Sequence, residues 1–330
     1  MNGSKKKVVL SGMRPTGPLH LGHLAGALKN WIRLQDEYKC YYTIVTWHAF
    51  SSEYQNPQII RKYTYEYAAG WLSVGIDPEK SVVFIQSEVK EHAELHLLLS
   101  MIIPLPWLQR VPTFKEMKKE VKDKDLNTYG FLGYPVLQTA DIIIYKAHAV
   151  PVGEDQAYHL ELAREITRRF NRFYGEIFPE PEILLTEVPR LAGTDGRKMS
   201  NSFQNAIYLT DTSDMIRKKI SPMLTDTRRK RRQDPGVPED CPVFSLHRAF
   251  VEAETRENLA AGCRTAGIGC LECKNVVIET LIKTLTPIQA KRKEFDRNPG
   301  QVWEIIEEGN KKARETARKT MKEVREALGF

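Results

Sequence analysis

The sequence predicts an α/β protein, a doubly wound parallel sheet followed by an all-helical part, and three observations carry that reading. Short apolar runs rich in β-branched and aromatic residues alternate with amphipathic stretches through the first half, the pattern of a parallel sheet covered on both faces. Beyond about residue 210 the strand signals fade and charged amphipathic patterns take over. The chain has 330 residues, enough for about two domains with sizeable cores. The boundary falls near 207, giving residues 1–207 and 208–330, with no internal repeat.

The elements follow in order. Lys7 to Leu10 reads as a buried strand ending at Gly12, and Leu21, Leu24, Leu28, Trp31 and Ile32 then recur at helical spacing. Tyr41 to Val45 is a second strand, Ile59 to Val74 a helix, and Val82 to Ile85 a third strand. Thr113 to Asn127 is densely charged and reads as a surface insertion. Val136 to Tyr145 is mostly apolar with a single acid, Asp141, which we place at a helix start. Ala149 to Val152 is a short strand and Asp155 to Phe173 a helix. Lys311 to Leu328 is amphipathic, with Ala313, Ala317, Met321, Val324 and Leu328 on one stripe.

Composition narrows the class. Apolar residues are 42% and charged residues 28%, an ordinary globular mixture. No stretch reaches the ~18 uncharged apolar residues of a membrane span. The basic N-terminus runs into too short an apolar core for a signal peptide. Five cysteines are an odd count without an export signal, which argues against a secreted disulfide framework. The expectation is a cytoplasmic protein without a membrane partner. Lys and Arg number 49 against 42 acids, a net charge of +7. Arg228, Arg229, Lys230, Arg231 and Arg232 form an unbroken basic run, and Arg164, Arg168, Arg169 and Arg172 recur on one side of a helix. Each patch reads as a polyanion surface or a solvated face.

Chemistry concentrates in three places. Gly12-Met13-Arg14-Pro15-Thr16-Gly17-Pro18-Leu19-His20-Leu21-Gly22-His23 follows the first strand. His20 and His23 share one face of a helix's first turn, whose free N–H groups face an anion well. Gly22 between them leaves room for a flat ring or a phosphate. Two imidazoles there donate to phosphoryl charge, form a metal half-site, or lie on plain surface. No G-x-G-x-x-G or G-x-x-x-x-G-K-[ST] is present in this stretch, which argues against an ordinary dinucleotide site and a P-loop. Far downstream, Gly193-Thr194-Asp195-Gly196-Arg197-Lys198-Met199-Ser200-Asn201-Ser202 is a glycine-punctuated loop. It reads as a surface turn, or as a mobile loop that carries an ammonium to a polyphosphate. Cys241, Cys263, Cys270 and Cys273 have the spacing C-x21-C-x6-C-x2-C. That suits zinc or an iron–sulfur cluster, with four packed cysteines as the plainer reading. Cys40 reads as packed.

These residues carry a resemblance. His20-Leu21-Gly22-His23 resembles the HIGH signature of class I aminoacyl-tRNA synthetases, and Lys198-Met199-Ser200-Asn201-Ser202 their KMSKS loop. Val152-Gly153-Glu154-Asp155-Gln156, with His159, Glu161 and Arg164 following, looks like the bacterial tryptophanyl-tRNA synthetases. So do Thr139-Ala140-Asp141-Ile142-Ile143, Gly75-Ile76-Asp77-Pro78 and Gln86-Ser87-Glu88-Val89. The likeness runs over nearly the whole chain. It departs at Asn201, where the loop's second lysine is usual, at Arg14, where glutamine is frequent, and at Gln138, where methionine is.

The resemblance implies a Rossmann-like catalytic domain, a helical anticodon-binding domain, and ligation of L-tryptophan to tRNA(Trp) through an adenylate. His20, His23 and Lys198 would be catalytic. ATP, with Mg²⁺, would be held by Arg14, Pro15, Thr16, Gly22, His23, Gly153, Glu154, Asp155, Leu191, Lys198, Met199, Ser200, Asn201 and Ser202. Tryptophan would be lined by Asp141, Tyr134, Gln156, Val150, Val152, His48 and Gly12. Asp141 would accept from the donor-only indole N–H; read alone, it is a helix cap or an internal salt-bridge acid. Some members carry a [4Fe-4S] cluster on such a quartet, so the cluster is favoured over Zn²⁺ at Cys241, Cys263, Cys270 and Cys273. The basic run 228–232 would bind the anticodon arm, and relatives are dimers, so a homodimer is expected. The alternatives are a tyrosyl-tRNA synthetase, a nucleotidyltransferase with an H-x-G-H site and no tRNA substrate, and a metal-dependent nucleic-acid-binding protein without activity.

Overall fold

A computed structural model describes residues 6–111, 127–153, 157–185 and 190–330. Most of the charged stretch Thr113–Asn127, together with Glu154, Asp155 and Gln156, lies outside the described residues.

Five parallel strands form one sheet: β1 (Val8–Met13), β2 (Lys39–Ile44), β3 (Ser81–Ile85), β4 (Ala149–Val152) and β5 (Glu182–Leu185), in the order β3-β2-β1-β4-β5. The order reverses between β1 and β4. Ligands of such sheets gather beyond the strands' carboxyl ends at that switch. The strand β5 was not expected. Its sequence, Glu-Ile-Leu-Leu, is short, and its burial is only partial, so neither length nor alternation marks it.

Helices α1 (Leu21–His23), α2 (Lys29–Glu37), α3 (Thr46–Glu53), α4 (Gln58–Val74), α5 (Glu91–Ser100), α6 (Leu105–Gln109), α7 (Tyr129–Ile144) and α8 (Ala157–Tyr174) alternate with the strands. Helices α9 (Ser213–Ile220), α10 (Pro242–Phe250), α11 (Ala253–Arg264), α12 (Cys270–Arg297) and α13 (Pro299–Leu328) follow. A π-turn at Leu24–Leu28 joins α1 to α2; such bulges recur at functional sites. Gly75 ends α4 at φ +111°, a left-handed cap that favours glycine. Among the described residues no helix is long and apolar enough to cross a membrane.

The chain falls into two compact units. The first is Met1–Thr16, Ile32–Thr186 and Asn298–Phe330; the second is Gly17–Trp31 and Glu187–Arg297. Neither is continuous, so the units differ from a single cut at 207. Helix α13 belongs with the sheet. Its stripe Ala313, Ala317, Met321 and Val324 is buried in the same core as Tyr41, Phe84 and Ile143. Gly309 lets it approach: a Cβ there would stand 1.8 Å from the Val83 carbonyl oxygen. Asn310 Oδ1 accepts from the Ile85 amide at 2.9 Å, tying the helix to the end of β3.

Candidate active site

The second unit holds both signature motifs. His20 caps α1, with its Nδ1 accepting from the Gly22 amide at 3.0 Å. His23 Nδ1 accepts from the His20 amide at 3.1 Å. The rings lie 3.9 Å apart. Burial lowers the His20 pKa to about 4. Burial and then the neighbouring His20 lower that of His23 to about 3. Both rings are therefore neutral at pH 7. Since each Nδ1 is an acceptor, each proton sits on Nε2. The pair thus presents two N–H donors at a helix start. The room at Gly22 is filled by His20 itself: a Cβ would meet its Cε1 at 2.8 Å.

The lysine loop is folded around a buried side chain, Asn205. Its Oδ1 accepts from the Ser200 amide at 2.9 Å, and its Nδ2 donates to Asp195 at 2.7 Å and to the Lys198 carbonyl at 3.1 Å. Gly193 has no space for a side chain, since a Cβ would lie 2.3 Å from that carboxamide. Met199 is buried and its amide donates to the Leu191 carbonyl. Lys198 is exposed, and its ammonium has no partner among the described residues. Arg197 pairs with Asp195 at 2.7 Å and lies over Phe203. Backbone bonds join this region to the histidine turn: Leu21 donates to Ile207 at 2.9 Å and Leu209 to Leu19 at 3.0 Å.

The first unit holds an acid hub. Asp141 lies in the last turn of α7, not at a helix start, and is 2% exposed. Oδ2 accepts from His48 Nε2 at 2.9 Å and Gln86 Nε2 at 2.7 Å; Oδ1 accepts from His92 Nδ1 at 2.5 Å. His92 Nε2 meets the Tyr145 hydroxyl at 2.7 Å. Burial alone would raise the Asp141 pKa, but the charge of His92 and the bonds from His48 and His92 hold it well below the usual range. Gly12 at the end of β1 faces Thr43 and Val45, with no room for a Cβ. Val150 and Val152 lie on β4 and Gly153 follows it. Tyr134 shares a hydrogen bond with His159 at 3.1 Å and stands edge-on to His48. Arg14 is exposed, Pro15 buried, and the Thr16 amide donates to the Arg14 carbonyl.

Comparison with known proteins decides the family. The family model described as class I tRNA synthetases (W and Y) matches residues 1–286. The chain belongs to this family. It is 54% identical to the tryptophan–tRNA ligase of Thermotoga maritima over 324 residues, covering 98% of this chain and 99% of that one. It is 42% identical to that of Aquifex aeolicus, again over 98% and 99%. The tryptophanyl-tRNA synthetase of Campylobacter jejuni, solved with ADP and tryptophan, superposes with a TM-score of 0.86 at 34% identity, covering 98% and 100%.

In the sequence, Gln86 stands only within a resemblance motif, and neither it nor His92, Tyr145 or Asn205 has a place in the predicted site. Gln86 carried a signal, a polar residue directly after a buried strand at the sheet's carboxyl edge. The others carried none.

The basic run is largely engaged within the fold. Arg228 pairs with Asp226 and Asp240. Arg229 bonds the carbonyls of Arg232 and Ile268, and Arg232 pairs with Glu272. Lys230 and Arg231 are exposed, with no side-chain partner among the described residues. The arginines of α8 are similarly engaged: Arg164 and Arg168 on Glu180, and Arg169 on the Ile102 carbonyl.

The four cysteines are free. Burial, followed by the neighbouring Cys241, Cys263 and Cys270, raises the Cys273 pKa to about 12. Cys273 Sγ lies 3.2 Å from His247 Nε2. Yet no three His, Cys, Asp or Glu among the described residues stand close enough to hold a metal ion. The expected zinc or iron–sulfur site thus has its donors but no closed geometry.

Proposed function

We propose that this chain is a tryptophan–tRNA ligase. The carboxylate of L-tryptophan attacks the α-phosphorus of ATP and the bond to pyrophosphate breaks; a hydroxyl of the terminal ribose of tRNA(Trp) then attacks the acyl carbon of the adenylate, and AMP leaves. The observation that carries the reading is the neutral pair His20 and His23, two Nε2–H donors at a helix start in the same compact unit as the lysine loop. They stabilise charge gathering on the α-phosphate, and Lys198 neutralises the leaving pyrophosphate. Such chemistry needs placed charge rather than a covalent intermediate, and one placed donor contributes about 3 kcal/mol. Mg²⁺ would accompany ATP and supply positive charge against its phosphates. Thr16, Gly22, Gly153, Glu154, Asp155, Leu191 and Met199 are the proposed ATP contacts, with Gly12, Tyr134, Val150, Val152 and Gln156 around tryptophan.

Asp141 selects the amino acid. A carboxylate has about four acceptor sites, and His48, Gln86 and His92 fill three. One indole N–H completes the set. A phenol hydroxyl would also need a donor for its own lone pairs, and those nearest the carboxylate are already committed to it. Tryptophan-dependent ATP–pyrophosphate exchange tests the activity; equal exchange with tyrosine would move the reading to the tyrosyl branch, and no exchange with either would end it.

Catalysis is assigned to residues 1–207 and anticodon recognition to the helical residues from 208, within which α9 to α12 form the recognition part. Lys230 and Arg231 are its phosphate contacts. The cysteine quartet is assigned a structural [4Fe-4S] cluster, with Zn²⁺ as the alternative; the donor set and spacing support it, and iron and sulfide analysis of the purified protein tests it. A cytoplasmic homodimer completes the proposal, supported by exposed Leu97, Leu105 and Tyr129 on packed helices and exposed Met101 at the end of α5. Sedimentation tests the dimer.

A further inference from the structure

Asn201 stands where the family's loop usually has a second lysine, and its side chain is not turned to solvent. Its Nδ2 donates to the Pro18 carbonyl at 3.1 Å. Its Oδ1 is buried and has no hydrogen-bond partner among the described residues. The carboxamide lies against Gly17, where a Cβ would stand 2.5 Å from Nδ2, 2.8 Å from Cγ and 3.1 Å from the Asn201 Cβ. Gly17 is not among the glycines with positive φ. Its lack of a side chain therefore serves space, not backbone conformation.

We propose that Asn201 is a positioning residue, a latch that holds the loop carrying Lys198 against the Gly17–Pro18 backbone, with Gly17 as its receptor. The proposal rests on the assignment of this loop to ATP. Pro18 lies two residues before His20, so the latch couples the loop to the histidine turn at its entrance. Asparagine here gives up the charge of a lysine and supplies a directional tether. The tether is weak by construction. One hydrogen bond favours it, and one buried oxygen without a partner opposes it. A loop that admits ATP and releases pyrophosphate in each turnover needs a hold that opens readily. The turn that follows reinforces the geometry: the Gln204 amide donates to the Asn201 carbonyl at 3.2 Å. Asn205 fixes the base of the loop independently.

The test compares the full-length wild type with Asn201→Ala, Asn201→Asp, Gly17→Ala and the double Gly17→Ala/Asn201→Ala. Asn201→Asp keeps the shape and loses the donor. Gly17→Ala keeps the carboxamide and removes its seat. Two readouts are used: pyrophosphate exchange, and amide hydrogen exchange of residues 197–205 without nucleotide. Asn201→Asp and Gly17→Ala are expected to lower kcat/KM for ATP by roughly tenfold, the worth of one hydrogen bond, and Asn201→Ala by a few-fold, since it also removes the unpartnered oxygen; all three should speed amide exchange in the loop, with KM for tryptophan unchanged. The double is expected to be no worse than the worse single, since both remove one contact; its smaller side chain at 201 also relieves any crowding that impairs folding of Gly17→Ala. Unchanged loop exchange in Asn201→Ala, or single effects that multiply in the double, would overturn the latch. Absence of any exchange activity in the wild type would instead remove the ATP assignment, and the amide measurement would still decide whether the tether exists.

Discussion

Asp141→Asn is the most telling single substitution. It preserves size and replaces one acceptor oxygen by a donor. Three donors converge on the two carboxylate oxygens, and an amide oxygen accepts two. At least one of His48, Gln86 and His92 then faces another N–H. A buried donor left without a partner costs ~1–3 kcal/mol, and the surviving bonds lose charge assistance, which roughly halves them. The expected loss of folding stability is about 3 kcal/mol by denaturant titration. For tryptophan, a charge-assisted bond worth ~1.5–3 kcal/mol is removed, so kcat/KM for tryptophan in pyrophosphate exchange should fall roughly 10- to 100-fold, with KM for ATP within about threefold. The pH dependence follows. The folded pKa of Asp141 lies below its ordinary value of 3.8, so its stabilising contribution is complete above that value and is lost as pH falls through the folded pKa. The Asn variant should lack that acid-side loss. Full tryptophan kcat/KM in a folded Asp141→Asn protein would refute the reasoning, as would an equal rise in both KM values.

Three further outcomes are expected. Gly22→Ala places a Cβ 2.8 Å from His20 Cε1; it should displace one phosphate donor and lower kcat of exchange by ~10²-fold, while a thermal melt shows only the loss of a cap, ~1 kcal/mol. Lys230→Ala with Arg231→Ala should raise KM for tRNA and flatten its salt dependence without touching exchange, whereas Arg228→Ala, which breaks the pair with buried Asp226, should chiefly lower stability in denaturant titration. Because the folded pKa of His20 is depressed to about 4, stability should decline as pH falls from about 6.5 toward 4, where the unfolded chain binds a proton that the folded one refuses; His20→Asn should flatten that decline in urea titrations at stepped pH.

The sequence by itself determined the alternating order of the first four strands and their helices, because buried strands and helix faces leave a local period. It made the histidine turn legible as well, since the bonds among His20, Gly22 and His23 close within one turn, whereas the burial that keeps both rings neutral comes from the fold. The lysine loop was visible as a motif, but its frame was not: Asn205 has no period and no spacing that announces it. Tertiary structure alone decided the company of Asp141. Its partners His48, Gln86 and His92 come from three separate elements, and which donors meet a buried acid depends on how α3, α5 and α7 close around the ends of the strands. It likewise decided where the last helix goes. The stripe of α13 fits any apolar face; the absence of a side chain at Gly309, matched to the Val83 carbonyl, and the bond from the Ile85 amide to Asn310 seat it on β3. Periodicity records what a segment must bury; packing decides against what.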